Sequence, residues 1–105
     1  MKFTEEDIAY LRELGETDDE DIEQVRRAAS KTKFTLYAKS DYEKGSDRGK
    51  KINRDSAIAV LGREGFLSGM DRSAFHMSAL RESLDGKHYV GFDSRPFFRK
   101  DTFPD

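Results

Sequence analysis

Six serines lie between positions 46 and 83, in the company of His76 and His88. They are the raw material of a hydrolase, in which a histidine takes the proton of a serine hydroxyl within about 3.2 Å. None of the six stands in the G-x-S-x-G turn that strains and exposes a nucleophile. The nearest approach, Gly65-Phe66-Leu67-Ser68-Gly69, has the wrong spacing. With no cysteine and no His-x-x-x-His pair, a zinc site would have to be assembled from scattered carboxylates. The acidic run Asp18, Asp19, Glu20, Asp21 lacks the alternating ligands, central glycine and closing glutamate of a calcium loop. The segment from Gly45 to Lys51, GSDRGKK, is one residue short of a triphosphate-binding loop and places Lys51 where Ser or Thr would hold magnesium. These residues predict no metal, no cofactor and no catalytic centre.

What remains is binding. The formal net charge of -2 conceals a split: residues 1–24 hold ten acids against two bases, and residues 25–105 hold seventeen bases against eleven acids. Asp18, Asp19, Glu20 and Asp21, with Arg72, Ser73 and His76, are the candidates for contact with a protein partner. Lys44, Arg48, Lys50, Lys51, Arg54, Arg63 and Arg81 form the alternative set, cations that displace counterions from nucleic acid, with Tyr37 or Tyr42 for base stacking. Both sets also have an architectural reading. Charge runs often only solvate a surface, Arg72 and Ser73 can bind the last carbonyls of a helix, and a histidine between Phe75 and Met77 is often hydrogen-bonded near a core.

The elements that must position these groups follow from local pattern. Thr4 with Asp7 spells a capping box, and Phe3 with Ile8 a hydrophobic staple, so a helix starts near Glu5 with Ile8, Leu11 and Leu14 inward and Gly15 ending it. Thr17 with Glu20 repeats the signal for a second helix, whose stripe is Ile22, Val25 and Ala29. The short link predicts an acidic antiparallel helical hairpin over residues 1–31. Lys33 to Ala38 alternates as a half-buried strand, residues 39–49 read as a mobile loop, and Lys50 to Ile52 as a short partner strand. Asn53 caps a helix that Gly62 ends near Leu61. A further helix runs from Arg63 to about Arg72, its Gly65 and Gly69 calling for close backbone packing. His76 to Glu82 and Lys87 to Phe92 are predicted strands around an Asp85-Gly86 turn. Residues 93–105 are predicted to be an irregular tail with Phe97 and Phe98 docked on the body.

The stretches Leu61-Gly62-Arg63-Glu64, Phe66-Leu67-Ser68-Gly69 and Arg72-Ser73-Ala74-Phe75-His76, with the capped helices and the strand FTLY, make the chain similar to small open reading frames of Firmicutes phages and integrative mobile elements. The resemblance covers roughly residues 1–93. Gly65 and Met77 depart from it, standing where an acid and a tryptophan are expected. It implies an accessory protein of a mobile element and carries over no activity or catalytic residue. Such proteins often bind host or element proteins, and some inhibit defence systems.

At 105 residues with 35% hydrophobic and 38% charged residues, one small aromatic-rich core under a charged surface is expected. The acidic N-terminus MKFTEEDIAYL has no signal-peptide pattern and no segment approaches a membrane span, which predicts a soluble, cytoplasmic protein with no membrane partner. The reading is a single α+β domain in the order α-α-β-(β)-α-α-β-β, helices packed on one face of a small antiparallel sheet. Its expected role is non-enzymatic contact with a host or element protein, with nucleic-acid binding as the alternative.

Overall fold

Thr4 receives the backbone N–H of Asp7 on its hydroxyl at 3.1 Å and offers its own N–H to the Asp7 carboxylate at 2.9 Å. The first helix therefore begins with the reciprocal cap that the sequence spells. In the computed structural model, which describes residues 2–46 and 48–98, the elements are α1 (Glu5–Glu13), α2 (Asp19–Ala29), β1 (Lys33–Ala38), α3 (Lys39–Glu43), β2 (Lys50–Ile52), α4 (Arg54–His76), β3 (Ser78–Glu82), β4 (His88–Asp93) and α5 (Arg95–Phe98). The strands make one antiparallel sheet in the order β2-β1-β4-β3. The domain is α+β, as predicted. No helix among the described residues is long and apolar enough to cross a membrane.

Register sorts the sheet into two faces. Phe34 pairs with both Ile52 and Phe92, and Phe92 with Ala79, so these residues point together towards α4. Phe34, Phe66 and Phe92 form an aromatic triangle with ring centroids 5.3 to 6.1 Å apart, a geometry that adds to the burial of their area. Leu11, Val25, Leu67, Met70 and Val90 complete the buried centre. Phe97 and Phe98 are docked as expected, with Arg27 over the Phe97 ring.

Several expectations give way. The acidic segment is not a self-packed hairpin, because α1 and α2 each lie chiefly against α4. Once a long apolar helix is present, both amphipathic stripes bury more by meeting it than by meeting each other. Leu14 is correspondingly exposed rather than inward. Asp18, not Thr17, is the N-cap of α2, and no side-chain cap bond forms there. The predicted mobile loop begins as α3, and because Tyr42 of α3 packs on Tyr37 and Tyr89, this helix covers the sheet face opposite α4. Helices thus occupy both faces. The predicted tail begins as the short helix α5; residues 99–105 lie outside the described residues.

The break at Gly62 is where the sequence places it, since φ 78 and ψ 165 interrupt α4 in a region open essentially only to glycine. The second half of α4 runs further than predicted, through His76, and Met77 ends it in the left-handed conformation with φ 67. His76 is therefore the last residue of a helix and not part of a strand. The Asp85-Gly86 turn joins β3 to β4 as expected, with Gly86 at φ 71 and the Asp85 carboxylate held by Ser83 and by the Lys87 N–H.

Candidate functional site

The turn from α1 into α2 and the middle of α4 bring carboxylates together. Asp18 and Glu20 are exposed at the start of α2, and Asp19 meets Arg12 of α1 at 3.1 Å. Glu16, between the helices, faces Asp71 of α4 and Asp21 of α2. Burial, followed by those two neighbours, pushes the Glu16 carboxyl up to about 7. Burial likewise raises Asp71, whose Oδ1 is buried without a hydrogen-bond partner. Two carboxyls this close cannot both ionise freely, so the pair titrates as a unit. Among the described residues no group of three or more acids and histidines has a metal-holding arrangement.

The remaining partner candidates divide. Arg72 and His76 are exposed on the last turns of α4, and His76 is close enough to Asp71 to favour its charged form. Ser73 is wholly buried. Its hydroxyl donates to the Met70 carbonyl at 3.3 Å and receives Ser94 Oγ at 3.0 Å, while Ser94 Oγ lies 2.7 Å from Thr32 Oγ1. That chain of hydroxyls ties α4 to the segments flanking β1 and α5, so Ser73 is architecture and leaves the contact surface. No serine hydroxyl among the described residues bonds a histidine ring.

The basic set divides in the same way. Arg63 lies on Asp7, with Nε 2.9 Å from Oδ1 and Nη2 2.5 Å from Oδ2. Asp7 is only 3% exposed, and the Arg63 guanidinium holds its carboxyl below the usual range. Arg81 turns to the core face and donates to the Ser68 hydroxyl at 3.0 Å. Both arginines are structural, for a buried or backbone acceptor has claimed them. Lys44, Arg48, Lys50 and Lys51 are exposed and Arg54 half-buried along the segment from the end of α3 through β2 to the start of α4, and they form no ion pair among the described residues. Lys33, Lys51 and Arg54 line a cavity of about 350 Å³ between the end of α2 and the start of α4.

A larger groove of about 610 Å³ crosses the sheet face away from α4. Its floor is Thr35, Gly91 and Leu80, which lie in one row across β1, β4 and β3. Tyr37 and Tyr42 wall one side, and His76, Met77 and Arg95 the other. The sequence offers Tyr37 and Tyr42 as stacking residues but not the groove they wall, because α3 had to be recognised before Tyr42 could be placed against the sheet. The Glu16–Asp71 pair was equally hidden, its members being brought together only by α1 and α2 docking on α4.

No protein-family model, curated protein or solved structure matches this chain.

Proposed function

We propose that this protein acts by contact rather than by catalysis, presenting the acidic corner of Glu16, Asp18, Glu20, Asp21 and Asp71 to a basic surface on a partner protein. The observation that carries this reading is the convergence of carboxylates from three segments around Asp71, whose buried Oδ1 has no donor. Carboxylates held this close repel one another, and an arginine or lysine docking on the exposed Asp18 and Glu20 beside them relieves that repulsion. Complementary charge also speeds encounter and rejects acidic partners. The resemblance to mobile-element reading frames adds support for a partner in the host or the element.

A cation docking here favours the ionised form of Glu16 and so releases a proton near neutral pH. Titration calorimetry with a short arginine-rich peptide at pH 7, repeated in buffers of different ionisation enthalpy, should report that proton and should weaken as salt rises. Glu16→Gln should abolish the proton release, and Glu20→Lys with Asp21→Lys should abolish binding. Binding that is absent, or that leaves the proton count at zero, removes the reading.

A further inference from the structure

The geometry points to a second, separate binding site: the groove on the outer sheet face takes a short single-stranded nucleic acid. Layer order puts this face beyond the sheet from α1 and α2, so it is not an extension of the acidic corner. Three observations converge on the occupant.

The first is shape. Glycine at position 91 leaves the centre of the floor bare between Thr35 and Leu80, and a side chain there would meet Tyr37 at 3.1 Å. A flat, partly apolar strip of about 610 Å³ lies within the range of sites that seat planar ligands, roughly 300–1,000 Å³.

The second is the aromatic wall. Tyr37, Tyr42 and Tyr89 form a run with centroids 5.1 and 5.3 Å apart, and Tyr42, 38% exposed, is its lip. Tyr37 and Tyr89 on the central strands are half-buried under Tyr42 of α3, so the surface offered to a base is the exposed Tyr42 ring with the Tyr37 edge beside it, a sequence-tolerant platform.

The third is charge. Gly49 is pressed onto Thr35 and Tyr37, where an added Cβ would stand 2.2 and 2.7 Å from their atoms, and this brings the backbone of the basic loop beside the groove, with Arg48 next in the chain. Lys51 pairs with Thr35 across the β2 edge, and Lys33 with Asp93. His76 and Arg95 stand at the far side. Among the described residues of this face, Asp93 is matched by Arg95 at 2.9 Å and Glu82 by Lys39 at 2.8 Å, while Glu43 of α3 accepts the Tyr89 hydroxyl at 3.2 Å. With Arg95 held by Asp93, the positive charge beside the tyrosines left unpaired among the described residues is that of Arg48 and Lys51, which suits a chain that alternates bases with phosphates and suits a basic peptide less well.

The test uses the intact chain and labelled single-stranded DNA and RNA of about ten nucleotides, with a duplex of the same length for comparison. At 50 mM salt, fluorescence anisotropy should show binding of the single strands and weaker binding of the duplex. Because the chain has four tyrosines and no tryptophan, and three of the four border this face, stacking should also quench its intrinsic emission. Tyr42→Ala should weaken binding roughly tenfold, Tyr42→Phe should restore it, and Arg48→Glu with Lys51→Glu should reduce both affinity and salt dependence. The last two positions are exposed, so this variant tests the site even where loss of Tyr42 perturbs the fold. Glu20→Lys should leave oligonucleotide binding intact, which separates this site from the acidic corner. No binding at 50 mM salt overturns the proposal, as does equal affinity for duplex with no effect of Tyr42→Ala. A change in sedimentation on charge reversal at Arg48 and Lys51, without oligonucleotide binding, makes the occupant a second copy and also overturns it.

Discussion

Gly69 of α4 lies directly under the ring of Phe92 in β4, so close that a methyl group at this position would stand 2.2 Å from the ring's Cζ. Helix and sheet touch here backbone to ring. Gly69→Ala gains about 1 kcal/mol of helix propensity but forces the aromatic triangle apart, and overpacking of a full core commonly costs about 1–3 kcal/mol. The expected result is a net loss of about 1 kcal/mol in urea unfolding. Gly65 meets only the Leu61 Cβ, at 3.2 Å, so Gly65→Ala should stay within about 0.5 kcal/mol of the parent. Equal effects from the two substitutions would show that the close approach at Gly69 is not what sets its identity.

Asp7 is the hinge of two interactions, the α1 cap and the Arg63 pair. Asp7→Ala should cost about 2–3 kcal/mol, from a lost cap and a lost charge-assisted pair whose guanidinium is partly solvated. The folded-state pKa of Asp7 lies below its ordinary value, so its contribution is present above the unfolded pKa and disappears as pH falls through the folded one. The gap between parent and Asp7→Ala should therefore be full at pH 7 and should shrink as pH falls below the ordinary carboxylate range, as read by denaturant midpoints at each pH.

Glu16 imposes the opposite slope at higher pH. Its folded-state carboxyl sits at about 7 against an ordinary 4.5, so between those values the folded chain holds a proton that the unfolded chain has released. Folding stability from this group is complete below the ordinary value and drains away as pH rises through 7. Thermal unfolding should show a loss of about 2 kcal/mol between pH 5 and pH 8, and Glu16→Gln should flatten that slope. A parent protein equally stable at both pH values would mean that the Glu16–Asp71 pair is well solvated.

Gly62 permits the bend that lets one helical segment follow another across the sheet, and the Leu84 N–H binds the Val60 carbonyl just before the bend at 3.0 Å. Gly62→Ala puts an L-residue where the backbone conformation excludes it and should cost about 1–3 kcal/mol. Protection of the Leu84 amide in hydrogen exchange should fall with it. Straightening of α4 would strip that amide of its acceptor, so an unchanged exchange rate in a destabilised variant would place the cost elsewhere.

Local chemistry made much of this fold readable. The Thr4 and Asn53 caps, the alternation of Lys33 to Ala38, the Gly62 break and the Asp85-Gly86 turn each depend on residues within a few positions of one another, and each is in place. The misplaced features depend on distant partners. Arg63 and Arg81 look like free cations until Asp7 and Ser68 are brought to them. His76 reads as strand because alternation after Ser73 mimics one, whereas the end of α4 is set by Met77, whose N–H bonds Ser73 and whose carbonyl accepts from Ser94. Of the candidate site, the acids of α2 and the cations around β2 were legible as charge, whereas the Asp71 cluster needed the docking of α1 and α2 on α4, and the tyrosine groove needed the sheet order.

That order has a consequence for how the protein is made. The middle of the sheet joins Lys33 through Ala38 to His88 through Asp93, so the first strand to leave a ribosome waits for the last. Until then Phe34 and Leu36 have no facing strand but the three-residue β2. Pairings between distant segments form slowly, and an unpaired apolar strand is open to aggregation in the interval. Lys50 and Lys51 on β2 guard only the outer side of that pair, since charge on an edge strand discourages a second chain from adding to it, and the β1 edge that awaits β4 stays open.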